Sequence, residues 1–250
     1  MSTNLLDTGR RILSRRVAEG LHEAMTIQTF FPFRALGHSL SILALGVALV
    51  ACGVPPTTPP VAAADIPAST SKGKQTAIFS GGCFWGVEAV FEHLKGVSEV
   101  VSGYSGDSAE TANYEAVSTG QTGQAESVRI TYDPSQISYS QLLKVFFLVA
   151  HDPTQLNRQG PDWGTQYRSV IFFANSEQQR AAQAYIAQLN KEHLFRQPIV
   201  TQLVPLSNFY AAEEYHQNFI SRNPNYPYVV VNDLPKLKQL REQFSEMYRN

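Results

Sequence analysis

The sequence predicts an α+β fold of two layers, a sheet covered by helices, over residues 75–250. Strand patterns and helix patterns mix along this stretch without a strict βαβ rhythm. Its length suffices to bury one full core, and no internal repeat is visible.

Ala77–Ser80 reads as a short apolar strand. Apolar residues then recur at Val87, Val90, Phe91 and Leu94, the spacing of one helix face, so a helix is predicted from Phe84 to Lys95, closed by Gly96. Val97–Ser102 is a second strand, and residues 103–124, rich in Gly, Ser, Thr and Asn, form a long loop. Val128, Ile130 and Tyr132 alternate with Arg129 and Thr131 as a half-buried strand, ended by Asp133-Pro134. Ser138 with Gln141 makes a capping box for a helix through Leu142, Val145, Phe146 and Val149. A second loop spans His151–Gln166, followed by a strand over Tyr167–Ala174. Ser176 with Gln179 is expected to cap a helix whose inner face is Ala182, Tyr185, Ile186 and Leu189. Ile199–Pro205 gives a last strand and Ala212–Ile220 another helix. After the turn Asn223–Pro227, a C-terminal helix buries Leu237, Leu240, Phe244 and Met247.

Residues 1–51 are expected to be a signal sequence outside this domain. Leu40–Ala51 is an uncharged run, too short to span a bilayer, which takes about 20 residues. Arg34 supplies a positive flank, as in a secretory signal. Leu49-Val50-Ala51-Cys52 resembles a bacterial lipobox, which makes Cys52 the expected lipidation site. Residues 52–74, Pro-rich and without apolar periodicity, are a tether. The location implied is extracytoplasmic, lipid-anchored to a bacterial membrane on the periplasmic side.

The net charge is −1 and the basic residues are scattered, which argues against a nucleic-acid partner. There is no CxxC, no Cys/His cluster at metal-ligand spacing and no GxGxxG or Walker loop, so neither a metal nor a bound cofactor is expected. A monomer is expected.

The chemistry concentrates at Ser80-Gly81-Gly82-Cys83-Phe84-Trp85-Gly86. Strand, glycine turn and helix place Cys83 at a helix start, where unpaired N–H groups and the dipole favour a thiolate. Phe84 and Trp85 add apolar faces beside it, a small pocket for an uncharged group. On the residues alone, a lone cysteine reads equally as a small buried hydrophobe.

Gly-Cys-Phe-Trp-Gly resembles the signature of the A-type peptide methionine sulfoxide reductases. Later segments resemble that family in the same order: Gly103–Gly106, Asn113–Val117, Gly123–Glu126, Tyr132–Pro134, His151–Thr154, Gly164–Ser169 and Tyr215–Gln217. The resemblance runs from about Thr76 to near the C-terminus and implies a ferredoxin-like βα plait with added helices and long loops. The activity implied is thiol-dependent reduction of methionine-(S)-sulfoxide in proteins, and of free methionine sulfoxide.

Such chemistry needs an ionised thiol, a proton for the departing oxygen and a dry seat for the methyl group. A buried glutamate with a raised pKa suits the second task. Spacing does not single out which acid it is; the resemblance implies Glu126. It also implies substrate-binding roles for Phe84, Trp85, Tyr114, Asp162 and Tyr167. On their own, Tyr114 and Tyr167 read rather as core aromatics and Asp162 as a turn residue beside Pro161. His151 and His216 are expected to be satisfied structural histidines. Asp107 and Trp163 stand where the family more often shows other residues, which bears on substrate preference.

No cysteine follows Cys83, whereas many family members carry a second one near the C-terminus; Tyr226–Asn232 occupies that region here. The expected cycle is therefore a one-cysteine form. A sulfenic acid on Cys83 is reduced by an external thiol donor, for which a thioredoxin-like protein is the expected partner. Two rival readings are a thiol peroxidase and a non-catalytic lipoprotein that binds methionine-like side chains.

Overall fold

The computed structural model describes residues 73–250. The signal sequence over 1–51, the lipobox with Cys52 and all of the tether but Gly73 and Lys74 lie outside the described residues. The chain runs through β1 (Gln75–Ser80), α1 (Phe84–Glu92), β2 (Val97–Ser105), α2 (Tyr114–Val117), β3 (Ala125–Tyr132) and α3 (Tyr139–Val145). A π-helical turn, Phe146–Ala150, continues α3. Next come a small hairpin of β4 (Arg158–Gln159) and β5 (Asp162–Trp163), then β6 (Val170–Phe173) and α4 (Ser176–Lys191). The end of the chain supplies β7 (Gln202–Pro205), β8 (Tyr210–Ala211), α5 (Phe219–Arg222), α6 (Pro227–Asn232) and α7 (Leu234–Gln243).

The main sheet has the order β7-β6-β1-β3-β2-β8. Its four central strands, β6-β1-β3-β2, pair antiparallel throughout. With α1 crossing from β1 to β2 and α3 from β3 to β6, this is the expected ferredoxin-like plait. Edge strand β7 joins parallel to β6 and β8 antiparallel to β2, so the sheet is mixed. β1 is buried on both faces because both are covered. Phe79 packs on Phe91, Tyr139 and Phe146, under the helices. On the other face Ile78 joins Ala125, Val170 and Phe172 beneath Val204, Leu206 and Phe209.

α1 differs from the amphipathic helix that its spacing predicts. It is buried nearly all round, including Glu88, because α5 and α6 cover the side turned away from the sheet. The Glu88 carboxylate there accepts the Asn218 N–H at 3.0 Å, and burial raises its pKa to about 8.

The Ser138–Gln141 capping box forms as expected. For α4 the cap is one residue earlier than expected: Asn175 Oδ1, not Ser176, accepts an N–H, that of Gln178, at 2.9 Å. The helix expected over Ala212–Ile220 is absent. In its place are a 3₁₀ turn at Glu214–His216 and the short α5, separated by Asn218 at φ 52°. Tertiary hydrogen bonds win here: Gln217 accepts the Ser102 N–H and donates to the Ser102 and Ala212 carbonyls, while Asn218 serves Glu88. After the expected turn comes an unforeseen helix, α6, with Pro227 at its first position. Among the described residues no helix is long and apolar enough to cross a membrane.

Candidate active site

The chain leaves β1 and turns through Gly82 at φ +94°, a conformation that suits glycine. A Cβ there would also lie 2.5 Å from Gln159 Cγ. Cys83 follows as the N-cap of α1. Its thiol opens into a cavity of about 180 Å³ lined by Phe84, Trp85, Tyr114, Glu126, Asp162, Tyr167, Tyr226 and Tyr228. The structure thus brings together Cys83, Glu126 and all five expected substrate-binding residues. Cys52 lies outside the described residues.

Glu126 comes from the start of β3, where Ala125, Ser127 and Val128 are buried beside it, and is itself 3 % exposed. Its Oε2 accepts the Phe84 N–H at 3.0 Å, which ties the acid to the residue after the thiol. Burial pushes the Glu126 pKa up to about 8; the Phe84 N–H opposes this and Asp162 adds to it. At neutral pH this carboxyl is protonated.

The thiol corrects one expectation. A helix start alone favours a thiolate, but burial raises the Cys83 pKa well above that of an ordinary thiol, and Glu126 and Asp233 raise it further. The Trp85 backbone N–H and Lys236 pull it down without prevailing. The cause is tertiary: burial comes first, and Glu126 of β3 sits close enough to accept the Phe84 N–H at the helix start. In the free pocket Cys83 is therefore a protonated thiol.

Aromatic packing fixes the walls. Trp85 stacks on Phe219 with centroids 3.7 Å apart and planes at 7°, and meets Tyr226 and Tyr228 edge-on. Its indole N–H donates to His216 Nδ1 at 3.1 Å. Behind that, His216 Nε2 is 4.0 Å from Glu213. Glu213 accepts the Tyr104 hydroxyl and the Tyr114 N–H, both at 2.9 Å. His216 therefore braces Trp85 and packs on Phe84 and Tyr114, while burial keeps it neutral. His151 is satisfied at both nitrogens, by the Phe146 carbonyl and the Ser169 hydroxyl, and burial lowers its pKa to about 4. Asp162 accepts a short hydrogen bond from the Tyr228 hydroxyl, and burial raises its pKa. Burial likewise raises the Tyr167 hydroxyl, with Glu126 and Cys83 adding to it, so it stays a neutral donor.

The two departures sit outside this cavity. Trp163 is 69 % exposed, beneath the Arg158 guanidinium at 4.1 Å. Asp107 accepts the Ser108 and Gly123 N–H groups and so ties its loop together. Two lining residues, Tyr226 and Tyr228, escape sequence reasoning. They come from the chain entering α6, which no periodicity near Cys83 announces.

A thiol and a neutral carboxylic acid facing one aromatic-walled cavity are the arrangement of a cysteine-based enzyme. A family model described as "Peptide methionine sulfoxide reductase" matches residues 75–248. The chain is 59 % identical over 176 residues to peptide methionine sulfoxide reductase MsrA 2 of Mesorhizobium japonicum, covering 70 % of this chain and 90 % of that one. It is 49 % identical over 176 residues to MsrA of Deinococcus radiodurans, covering 70 % and 85 %. Among solved structures it resembles methionine sulfoxide reductase A of Corynebacterium diphtheriae, with TM-score 0.53 and 34 % identity over 62 % of this chain and 77 % of that one. Mxr1 of Saccharomyces cerevisiae in its reduced form gives TM-score 0.55 and 32 % identity over 61 % and 87 %. The chain belongs to the peptide methionine sulfoxide reductase family, A type, and is an enzyme of that kind.

Proposed function

We propose that the protein reduces methionine-(S)-sulfoxide, in proteins and as the free amino acid, with Cys83 as nucleophile and Glu126 as proton donor. The observation that carries this reading is the Glu126 carboxyl, buried and neutral, hydrogen-bonded to the N–H next to the thiol. Phe84 and Trp85 seat the methyl group; Tyr114, Asp162 and Tyr167 hold the polar end.

The reaction follows from the two neutral acids. Glu126 protonates the sulfoxide oxygen, which makes the sulfur electrophilic. Cys83 attacks that sulfur and passes its own proton to the carboxylate just formed, so no free thiolate need pre-exist. The sulfur–sulfur bond formed in the attack and the sulfur–oxygen bond then both break as the hydroxyl passes to the Cys83 sulfur, which leaves methionine and a sulfenic acid on Cys83. The sulfoxide is reduced by two electrons to methionine and Cys83 is oxidised by two.

The sequence carries only Cys52 and Cys83, and Cys83 alone falls among the described residues. This supports a one-cysteine cycle. An external thiol, for which a thioredoxin-like protein is suited, condenses with the sulfenic acid and expels water; a second thiol then releases Cys83. The lipobox supports lipidation at Cys52 and a place on the periplasmic side of a bacterial membrane, which mass spectrometry of the mature N-terminus tests.

The activity test uses a methionine sulfoxide peptide with dithiothreitol. Methionine should form with the wild type and not with Cys83→Ser. Turnover of hydroperoxide but not of sulfoxide would reverse the reading.

A further inference from the structure

Cys83 is the N-cap of α1, and Gly86 lies in the first turn that follows it. A Cβ on Gly86 would lie 2.2 Å from Asp233 Oδ1 and 2.7 Å from Lys236 Nζ. The notch left by the glycine is thus filled by an ion pair from the start of α7. The two groups are 3.1 Å apart; the Asp233 side chain is fully buried and that of Lys236 is 19 % exposed. Asp233 Oδ2 is buried and has no hydrogen-bond partner among the described residues. Desolvating such a pair cancels much of its attraction, so it is a weak device for stability alone. The charged groups acting on the Cys83 sulfur are Glu126, Asp233 and Lys236, of which Lys236 alone is cationic.

We propose that Lys236, clamped by Asp233 in the Gly86 notch, is a positioning residue for the reaction: its ammonium supports the negative charge that Cys83 develops during attack. Asp233 holds the ammonium in place and limits how much of its field the sulfur feels. The inference deepens the proposed function and relies on it for the reaction step, but the resting thiol alone tests it.

The other groups around the thiol leave Lys236 without a substitute. Glu126 and Asp162 are acids, Tyr114, Tyr167, Tyr226 and Tyr228 are phenols, and His151 and His216 are held neutral by burial.

The test is the rate of iodoacetamide alkylation against pH, without substrate. Removing Lys236 alone would leave Asp233 unpaired and able to take up a proton, so the comparison is made on an Asp233→Asn background. Asp233→Asn should move the profile to lower pH. Adding Lys236→Met should move it back up by about one pH unit, close to a tenfold slower reaction at pH 7. Adding Lys236→Arg instead should leave the profile where Asp233→Asn put it. Superimposed profiles with and without Lys236→Met would overturn the proposal. Should the methionine variant lose its near-ultraviolet circular dichroism, Lys236→Gln makes the same comparison. A wild type that alkylates as expected yet leaves sulfoxide peptides untouched would overturn the proposed reaction and not the role of Lys236.

Discussion

Cys83 and Glu126 are both acids whose charged forms their surroundings disfavour, and a charged Glu126 makes the ionisation of Cys83 harder still. Burial is the largest cause for each. In the proposed reaction the two therefore exchange protons between neutral groups. Replacing Glu126 by Gln keeps an acceptor for the Phe84 N–H and removes only the proton. Methionine formed per enzyme in a single turnover should then slow by roughly 10²- to 10⁴-fold. Reduction of a preformed Cys83 sulfenic acid by dithiothreitol should proceed at its usual rate. Most of the site was legible in the sequence because its residues sit in short motifs: Cys83, Phe84 and Trp85 in one, Tyr114, Glu126, Asp162 and Tyr167 in or beside others. The resting protonation of the thiol was not legible. A helix start is a local feature, whereas the Glu126 and Asp233 charges reach Cys83 only through tertiary packing. Tyr226 and Tyr228 were missed for the same reason.

At the scale of elements, α1 carries the design. Its N-terminus presents the thiol, its sheet face fills the core with Val87, Val90 and Phe91, and its far face admits Asp233 and Lys236 at Gly86. Gly86→Ala places a methyl group 2.2 Å from a buried carboxylate oxygen, so the pair must move out. Overpacking of this kind should destabilise the chain by about 1–3 kcal/mol, read as a lower midpoint in urea. Gly160→Ala, where nothing lies near the new Cβ, is the paired control for the clash, with only its backbone at φ +55° against it. Elements with a local signal were read correctly: the start of α1 at Phe84, the Ser138–Gln141 box and the β3 alternation. The segment Ala212–Ile220 was not, since side chains far away in sequence dictate its backbone. Gln217 pairs with Ser102 and Asn218 with Glu88, and a helical propensity weighs little against those bonds. α6 was hidden behind a turn whose proline also serves as a helix start.

For the whole molecule, the buried carboxyls make stability depend on pH. Glu88 and Glu126 have folded pKa values of about 8 against an ordinary 4.5. A raised folded pKa gives stability that is complete below 4.5 and is lost as pH climbs through 8, because only the folded state then retains the proton. His151 acts in the opposite sense, losing stability as pH falls from 6.5 towards 4, so it is silent above 6.5. The melting temperature should therefore fall between pH 6.5 and 8, and Glu88→Gln should flatten that fall in a calorimetric series.

In the resting pocket a neutral carboxylic acid faces a neutral thiol. Infrared difference spectra, wild type minus Glu126→Gln, taken across pH, read the acid itself. A protonated-carboxyl band should be present at pH 7 and titrate near 8. A band lost near the ordinary 4.5 would mean that Glu126 is ionised at rest and holds no proton to give.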